Sequence, residues 1–157
     1  MVESASQSTP VRVLLVEDDE DDYILTRGLL TAIFKDQCDL QWVQNFDVGL
    51  SRLLSEAWDI ALVDYRLGAP DGTQLIRDAR AKGCHIPIIL LTGQNDREID
   101  LAAMEAGASD FLSKTEVNSA MLERAIRYSM QNAKLEEHRV RLMAERAARA
   151  EAEAGNR

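Results

Sequence analysis

Apolar residues along this chain fall in five short runs, and the segments between them carry apolar positions at helical spacing. Val11 and Val13 to Val16 form a run rich in β-branched residues and apolar on both faces, as the central strand of a parallel sheet requires. The acidic stretch Glu17 to Asp22 stops it. Ile24, Leu25, Leu29, Leu30 and Ile33 then recur at the spacing of an amphipathic helix, whose acidic start suits the helix dipole. The alternation continues with a predicted strand over 40–46 and a helix over 48–57. A strand over 59–64 leads through the turn signal Ala69-Pro70-Asp71-Gly72 to a helix over 73–81. A strand over 86–92 precedes a helix over 97–106 closed by Gly107. The last short strand covers 109–113, and a long helix starts near Val117 or Asn118.

Five strands alternating with five helices predict an α/β fold, a doubly wound five-stranded parallel sheet. Right-handed crossovers place helices on both of its faces. No repeat at a fixed period is visible, which argues against a solenoid.

Composition narrows the class. Of the 157 residues 46% are apolar, enough for a core, while 29% are charged and the formal net charge is −9. Such a surface repels a phosphate backbone, so nucleic acid is not an expected partner. Cys38 and Cys84 cannot build a disulfide framework, and their spacing suits no metal site; a cytoplasmic setting is expected. No apolar run approaches the roughly 20 residues that span a bilayer, so no membrane partner is expected. Residues 1–10, MVESASQSTP, lack the basic start and apolar stretch of a signal peptide and are expected to be a disordered leader. Residues 1–133 hold 12 Lys+Arg against 22 Asp+Glu, and residues 134–157 hold 6 against 5, summing to the chain's 18 and 27. An acidic domain over 11–133 followed by a helical extension over 134–157 is the expected organisation.

In doubly wound sheets ligands sit beyond the carboxyl ends of the strands. Those ends carry Glu17-Asp18-Asp19, Asp64, Thr92-Gly93 and Lys114, none of which belongs in a core. Each alone has an ordinary reading: a helix cap or solvated loop for Asp19 to Asp22 and for Asp64, a turn for Thr92, a surface charge for Lys114. Together they describe a site. Two carboxylates about 4 Å apart repel by roughly 4 kcal/mol at an effective dielectric near 20, so Glu17, Asp18 and Asp64 call for a divalent cation or for protonation. Hard oxygen ligands favour Mg²⁺. A carboxylate beside Mg²⁺, a lysine and a threonine hydroxyl suits phosphoryl transfer, with Asp64 as nucleophile.

These residues resemble the receiver domain of two-component response regulators over roughly 11–130. VLLVEDDE is similar to the family's first strand with its acidic pair, and DIALVDYRLGAPDG to the phosphoacceptor strand and loop. PIILLTG and AGASDFLSK are similar to the segments that carry the switch hydroxyl, the aromatic switch residue and the lysine. The resemblance implies a flavodoxin-like fold and a signalling switch, not an enzyme. It implies a phosphoryl group passed from a histidine kinase or histidine phosphotransfer protein to Asp64. It implies metal ligation by Asp18, Asp64 and the main-chain carbonyl of Arg66, with Glu17 acting through water. Thr92 and Phe111 are the implied switch pair acting on the face of the fourth helix, fifth strand and fifth helix, and Arg66 and Gln94 the implied flanks that tune hydrolysis. The chain departs from the family pattern at Thr115, where proline usually follows the lysine with a cis bond, and at Gly68.

Three other classes compete: a Mg²⁺-dependent phosphatase with an aspartyl-phosphate intermediate, a flavin or nucleotide binder, and a phosphate-independent scaffold. The phosphatase favours a second aspartate two residues after the nucleophile, where this chain has Arg66. A flavin or nucleotide binder would want a phosphate loop where this chain has an acidic run. Stepping by four and three from Leu122 gives Ile126, Ser129, Ala133, Glu136, Val140, Met143, Ala147, Ala150 and Ala154, a heptad seam broken at Glu136. A homodimer through the fifth helix and the tail is therefore expected, with Tyr128 and Leu135 off the seam and packing on the body. His85, His138, Trp42 and Trp58 are expected to be structural or solvated.

Overall fold

A computed structural model describes residues 9–93 and 97–155. Strands β1 (Val11–Val16), β2 (Cys38–Val43), β3 (Ile60–Asp64), β4 (Ile88–Thr92) and β5 (Asp110–Ser113) alternate with α1 (Glu20–Phe34), α2 (Phe46–Ser55), α3 (Gly72–Ala81), α4 (Arg97–Ala106) and α5 (Ser119–Gly155). The strands form one parallel sheet in the order β2-β1-β3-β4-β5. This is the doubly wound architecture that the runs predict.

Alternation along the strands divides the core in two. Leu14, Val16, Ala61, Val63, Ile88 and Leu90 pack with Leu53 of α2, Leu75, Ile76 and Ala79 of α3, and Ala103 and Ala106 of α4. Val13, Leu15, Ile60, Leu62, Ile89 and Leu91 pack with Leu30 of α1 and with Leu122, Ala125 and Ile126 of α5. Every residue of β3 and β4 is buried, as strands covered on both faces must be.

Several boundaries differ from the expected ones, among them the start of β2, which lies at Cys38 and not at Leu40. The second run was expected to stay extended through Phe46, but Asn45 caps α2 by accepting from the Val48 amide at 2.9 Å, and Phe46 opens the helix. That helix ends at Ser55, two residues short of the expected Ala57. Pro87 has no N–H to donate, and β4 starts after it, at Ile88. The cis bond among the described residues is Ala69-Pro70, and Lys114-Thr115 is trans.

Helix α5 has 37 residues and two characters. Leu122, Ala125, Ile126 and Ser129 are buried against the body, whereas residues 134–155 are exposed throughout. The first three positions of the heptad seam, Leu122, Ile126 and Ser129, therefore face the chain's own core. Tyr128 and Leu135 do not pack on the body either; they are 60% and 61% exposed. A spacing of 3.5 residues marks an apolar stripe without telling whose surface it meets. No helix among the described residues is long and apolar enough to cross a membrane.

Candidate functional site

Strand register brings the polar residues to one edge. Val16 lies beside Val63 across β1 and β3, so Glu17 and Asp64 are the next residue on each strand. Asp64 pairs with Leu91 of β4, and Thr92 with Ser113 of β5, which leaves Lys114 as the first residue beyond that rung. The Lys114 amide donates to Thr92 O at 2.7 Å, fixing the end of β5 against β4.

One ammonium meets three carboxylates. Lys114 Nζ lies 2.8 Å from Glu17 Oε1, 2.7 Å from Asp22 Oδ2 and 3.1 Å from Asp64 Oδ1. Glu17 is fully buried and Asp64 only 3% exposed. Carboxylate oxygens of Glu17, Asp18 and Asp64 come within 4.8 Å of one another. Apart from its ion pair with the lysine, Glu17 Oε1 has no well-aligned hydrogen-bond donor among the described residues. Burial, then the hydrogen bond and charge of Asp64, push the Glu17 carboxyl up from 4.5 to about 8, against the pull of Lys114. Burial draws the Lys114 ammonium down, but Asp22, Glu17 and Asp64 outweigh it and hold the pKa above its ordinary value. This donor set fits a hard divalent cation: three carboxylates, one with a buried oxygen short of hydrogen-bond donors, and a single cation too few to balance them.

The acidic run divides its labour. Asp19 caps α1, its side chain accepting from the Asp22 amide at 3.1 Å. Asp18 is exposed at the rim of the cluster. Asp22, treated in the sequence as one more cap or solvated acid, reaches Lys114 from the first turn of α1. Trp42 was expected only to pack; its Nε1 donates to the main-chain carbonyl of Glu17 at 2.7 Å while its ring stacks on Tyr23 with centroids 4.0 Å apart. Neither role shows in the sequence, because both partners are distant along the chain.

Asp71 caps α3 by accepting from the Gln74 amide and the Thr73 hydroxyl, at 3.1 and 2.6 Å. Beside it, a Cβ on Gly72 would collide with the main-chain carbonyl oxygen of Asp64, so only glycine lets the helix start this close to the strand end. The Gly72 amide donates to Tyr65 O at 2.8 Å. Thr92, 2% exposed, points its hydroxyl at Leu112 O at 3.4 Å. Phe111 is half-buried against the core on the α2–α4 face. Arg66 is exposed two residues beyond Asp64. Gln94 lies outside the described residues.

Comparison with known proteins bears on the family and the fold. A family model for the response regulator receiver domain matches residues 13–127. The swarming motility regulation protein RssB of Serratia marcescens is 36% identical over 104 residues, which cover 66% of this chain and 46% of that protein. The transcriptional regulatory protein QseB of Escherichia coli O157:H7 is 30% identical with the same coverage. The chain thus spans about half the length of these curated relatives. Among solved structures, a CheY-like response regulator receiver domain protein from Methanospirillum hungatei JF-1 superposes with a TM-score of 0.70 at 24% identity, covering 82% of this chain and 99% of that one. NtrX from Brucella abortus gives 0.73 at 20% identity, covering 85% of this chain and 30% of its own. At these identities the structures speak for the fold alone.

Proposed function

The chain belongs to the response regulator receiver domain family, and from that premise we propose that it is a phosphoacceptor switch whose acceptor is Asp64. The observation that carries this reading is a buried carboxylate at the end of β3, 3.1 Å from an ammonium and within a cluster of three acids.

The donor is a histidine kinase or a histidine phosphotransfer protein. A carboxylate oxygen of Asp64 attacks the phosphorus, the phosphorus–nitrogen bond to the donor histidine breaks, and the imidazole leaves with the electron pair. An acyl phosphate on Asp64 results. Lys114 faces the oxygens that gain charge, and burial strengthens its attraction for them. Glu17, Asp18, Asp64 and the main-chain carbonyl of Arg66 are the residues that would hold Mg²⁺; when bound, the ion offsets the charge of carboxylates and phosphoryl group together. Thr92 turns its hydroxyl from Leu112 O to the phosphoryl oxygens, and Phe111 moves further inward, biasing the face of α4, β5 and α5. Water later cleaves the acyl phosphate, at a rate that Arg66, two residues beyond Asp64, tunes.

The exposed half of α5 is the second element of the reading. With Leu122, Ile126 and Ser129 committed to the core, a parallel homodimer uses the stripe from Val140 and Met143 through Ala147, Ala150 and Ala154, beyond the domain proper at 11–133. Light scattering of the chain and of a form lacking 134–157 tests this; an unchanged oligomer removes the dimer from the proposal. A cytoplasmic location is the corresponding proposal for the setting.

Intact-mass measurement after incubation with phosphoramidate tests the acceptor chemistry. A single phosphoryl adduct that requires Mg²⁺ and is absent from Asp64→Asn is expected. An adduct that persists in Asp64→Asn would refute the assignment.

A further inference from the structure

We infer that Asp22 is a positioning residue that holds Lys114 back from Asp64, and so sets both how tightly the acidic cluster binds Mg²⁺ and how fast the phosphoryl group is accepted. The inference rests on the reading of Asp64 as acceptor.

Three observations carry it. The lysine's shortest contact is with Asp22 Oδ2 at 2.7 Å, the same ammonium lying 2.8 Å from Glu17 Oε1 and 3.1 Å from Asp64 Oδ1. Asp22 stands outside the trio of carboxylates that come within 4.8 Å of one another. It therefore competes for the lysine without being a candidate ligand for the ion. Finally, the ammonium has room to move. Lys114 and Asp22 border an apolar cavity of about 150 Å³ between α1 and α5, lined also by Leu25, Thr26, Leu29, Leu91, Val117 and Leu122. A lysine stem beside open space swings its head between acceptors without repacking a core.

Two effects of opposite sign follow from removing the Asp22 charge. In the resting protein the ammonium moves wholly onto Glu17 and Asp64, where it opposes cation binding. Once the site is loaded, the same ammonium is no longer shared when charge builds on the incoming phosphoryl oxygens. Asp22 takes no part in bond making: the new bond is Asp64 oxygen to phosphorus, and the bond lost is the donor's own bond to phosphorus.

The test compares wild type, Asp22→Asn, Asp21→Asn and Asp22→Asn on a Lys114→Met background. Asp21 is exposed on the same turn, so its variant removes an equal charge without touching the lysine. Mg²⁺ affinity is read by calorimetry, and phosphoramidate labelling at saturating Mg²⁺ by intact mass. Asp22→Asn is expected to bind Mg²⁺ about three- to fivefold more weakly yet label about three- to fivefold faster, as loss of one half-exposed ion pair allows. Asp21→Asn is expected to match wild type, and the Asp22 effect to vanish without the lysine. Equal shifts in Asp21→Asn, persistence of the effect beside Met, or no change in Asp22→Asn would overturn the inference. A wild type that takes no label sinks the acceptor reading instead, and the Mg²⁺ arm still decides the role of Asp22. Should Lys114→Met not fold, the Asp21 comparison makes the same decision alone.

Discussion

The two edges of the sheet handle charge in opposite ways. At the amino edge Arg80 gives its guanidinium to main-chain carbonyls: Gly107 O at 3.0 and 2.9 Å, Cys84 O at 3.0 Å and Ile86 O at 2.6 Å. Arg12 lies 4.4 Å from the Trp58 ring centre, donates to Ala57 O at 2.7 Å and pairs with Asp39 and Glu56. Every donor there has somewhere to go. At the carboxyl edge four acids face one lysine, and a buried oxygen of Glu17 has, beyond that lysine, no well-aligned hydrogen-bond donor among the described residues. Satisfied polar groups lock elements together, whereas an unbalanced cluster retains free energy that an incoming ion or phosphoryl group releases. The first edge holds elements together; the second, on the proposed reading, is the one kept for an ion and a phosphoryl group.

Breaking the satisfied edge has the largest expected effect. Arg80→Met orphans the carbonyls of Gly107, Cys84 and Ile86 where α3, α4 and β4 meet. It is expected to lower stability by about 2–3 kcal/mol in urea unfolding, while the fraction still folded labels normally. Gly107 is tied to the same contact: its φ is +106° and a Cβ there would press on the Arg80 side chain at 2.9 Å.

Next comes a dependence on pH that only the unbalanced edge shows. A carboxyl raised from 4.5 to about 8 on folding contributes stability that is fully present below about pH 4.5 and is lost as pH rises through about 8. Melting of the metal-free protein is thus expected to fall by several degrees from pH 5 to 8 (~5 °C for ~1 kcal/mol). Mg²⁺ opposes that fall because it needs the ionised carboxylate, and Glu17→Gln flattens the profile. A flat wild-type profile would remove Glu17 as the origin.

A smaller change of opposite sign is expected from Asp64→Asn. Relieving one charge of the cluster raises the urea midpoint of the metal-free protein, by about 1 kcal/mol, even as labelling is abolished. Arg12→Lys is the smallest. It gives up the planar stack on Trp58 and the forked contacts for about 0.5–1 kcal/mol, since the pairs are partly exposed.

Much of this contrast was legible in the sequence, and the reason differs by residue. Strands β3 and β4 announce themselves because a strand buried on both faces must be apolar throughout, so the polar residues just beyond, Asp64 and Thr92, stand out. Glu17 and Lys114 are found by the same logic. Asp22 is hidden, since one acid among six consecutive ones acquires its meaning only from a lysine 92 positions away. Arg80 is hidden too: it looks like the solvated last turn of a helix, and its carbonyl partners leave no trace in side-chain pattern. Phe46 misled for a simpler reason, an apolar residue prolonging an apolar run, where the cap at Asn45 decides.

Helix α5 is rooted by Leu122, Ala125 and Ile126 and continues unbroken to Gly155, so its exposed part works as a lever arm. At the rise of an α-helix its far end at Gly155 lies roughly 50 Å from Leu122. A tilt of about 10° at Leu122 carries that far end through about 9 Å. A rearrangement at the strand edge too small to alter the core is thereby magnified at Val140, Met143 and the alanines beyond, where side chains a few ångströms apart either interlock with a partner or miss it.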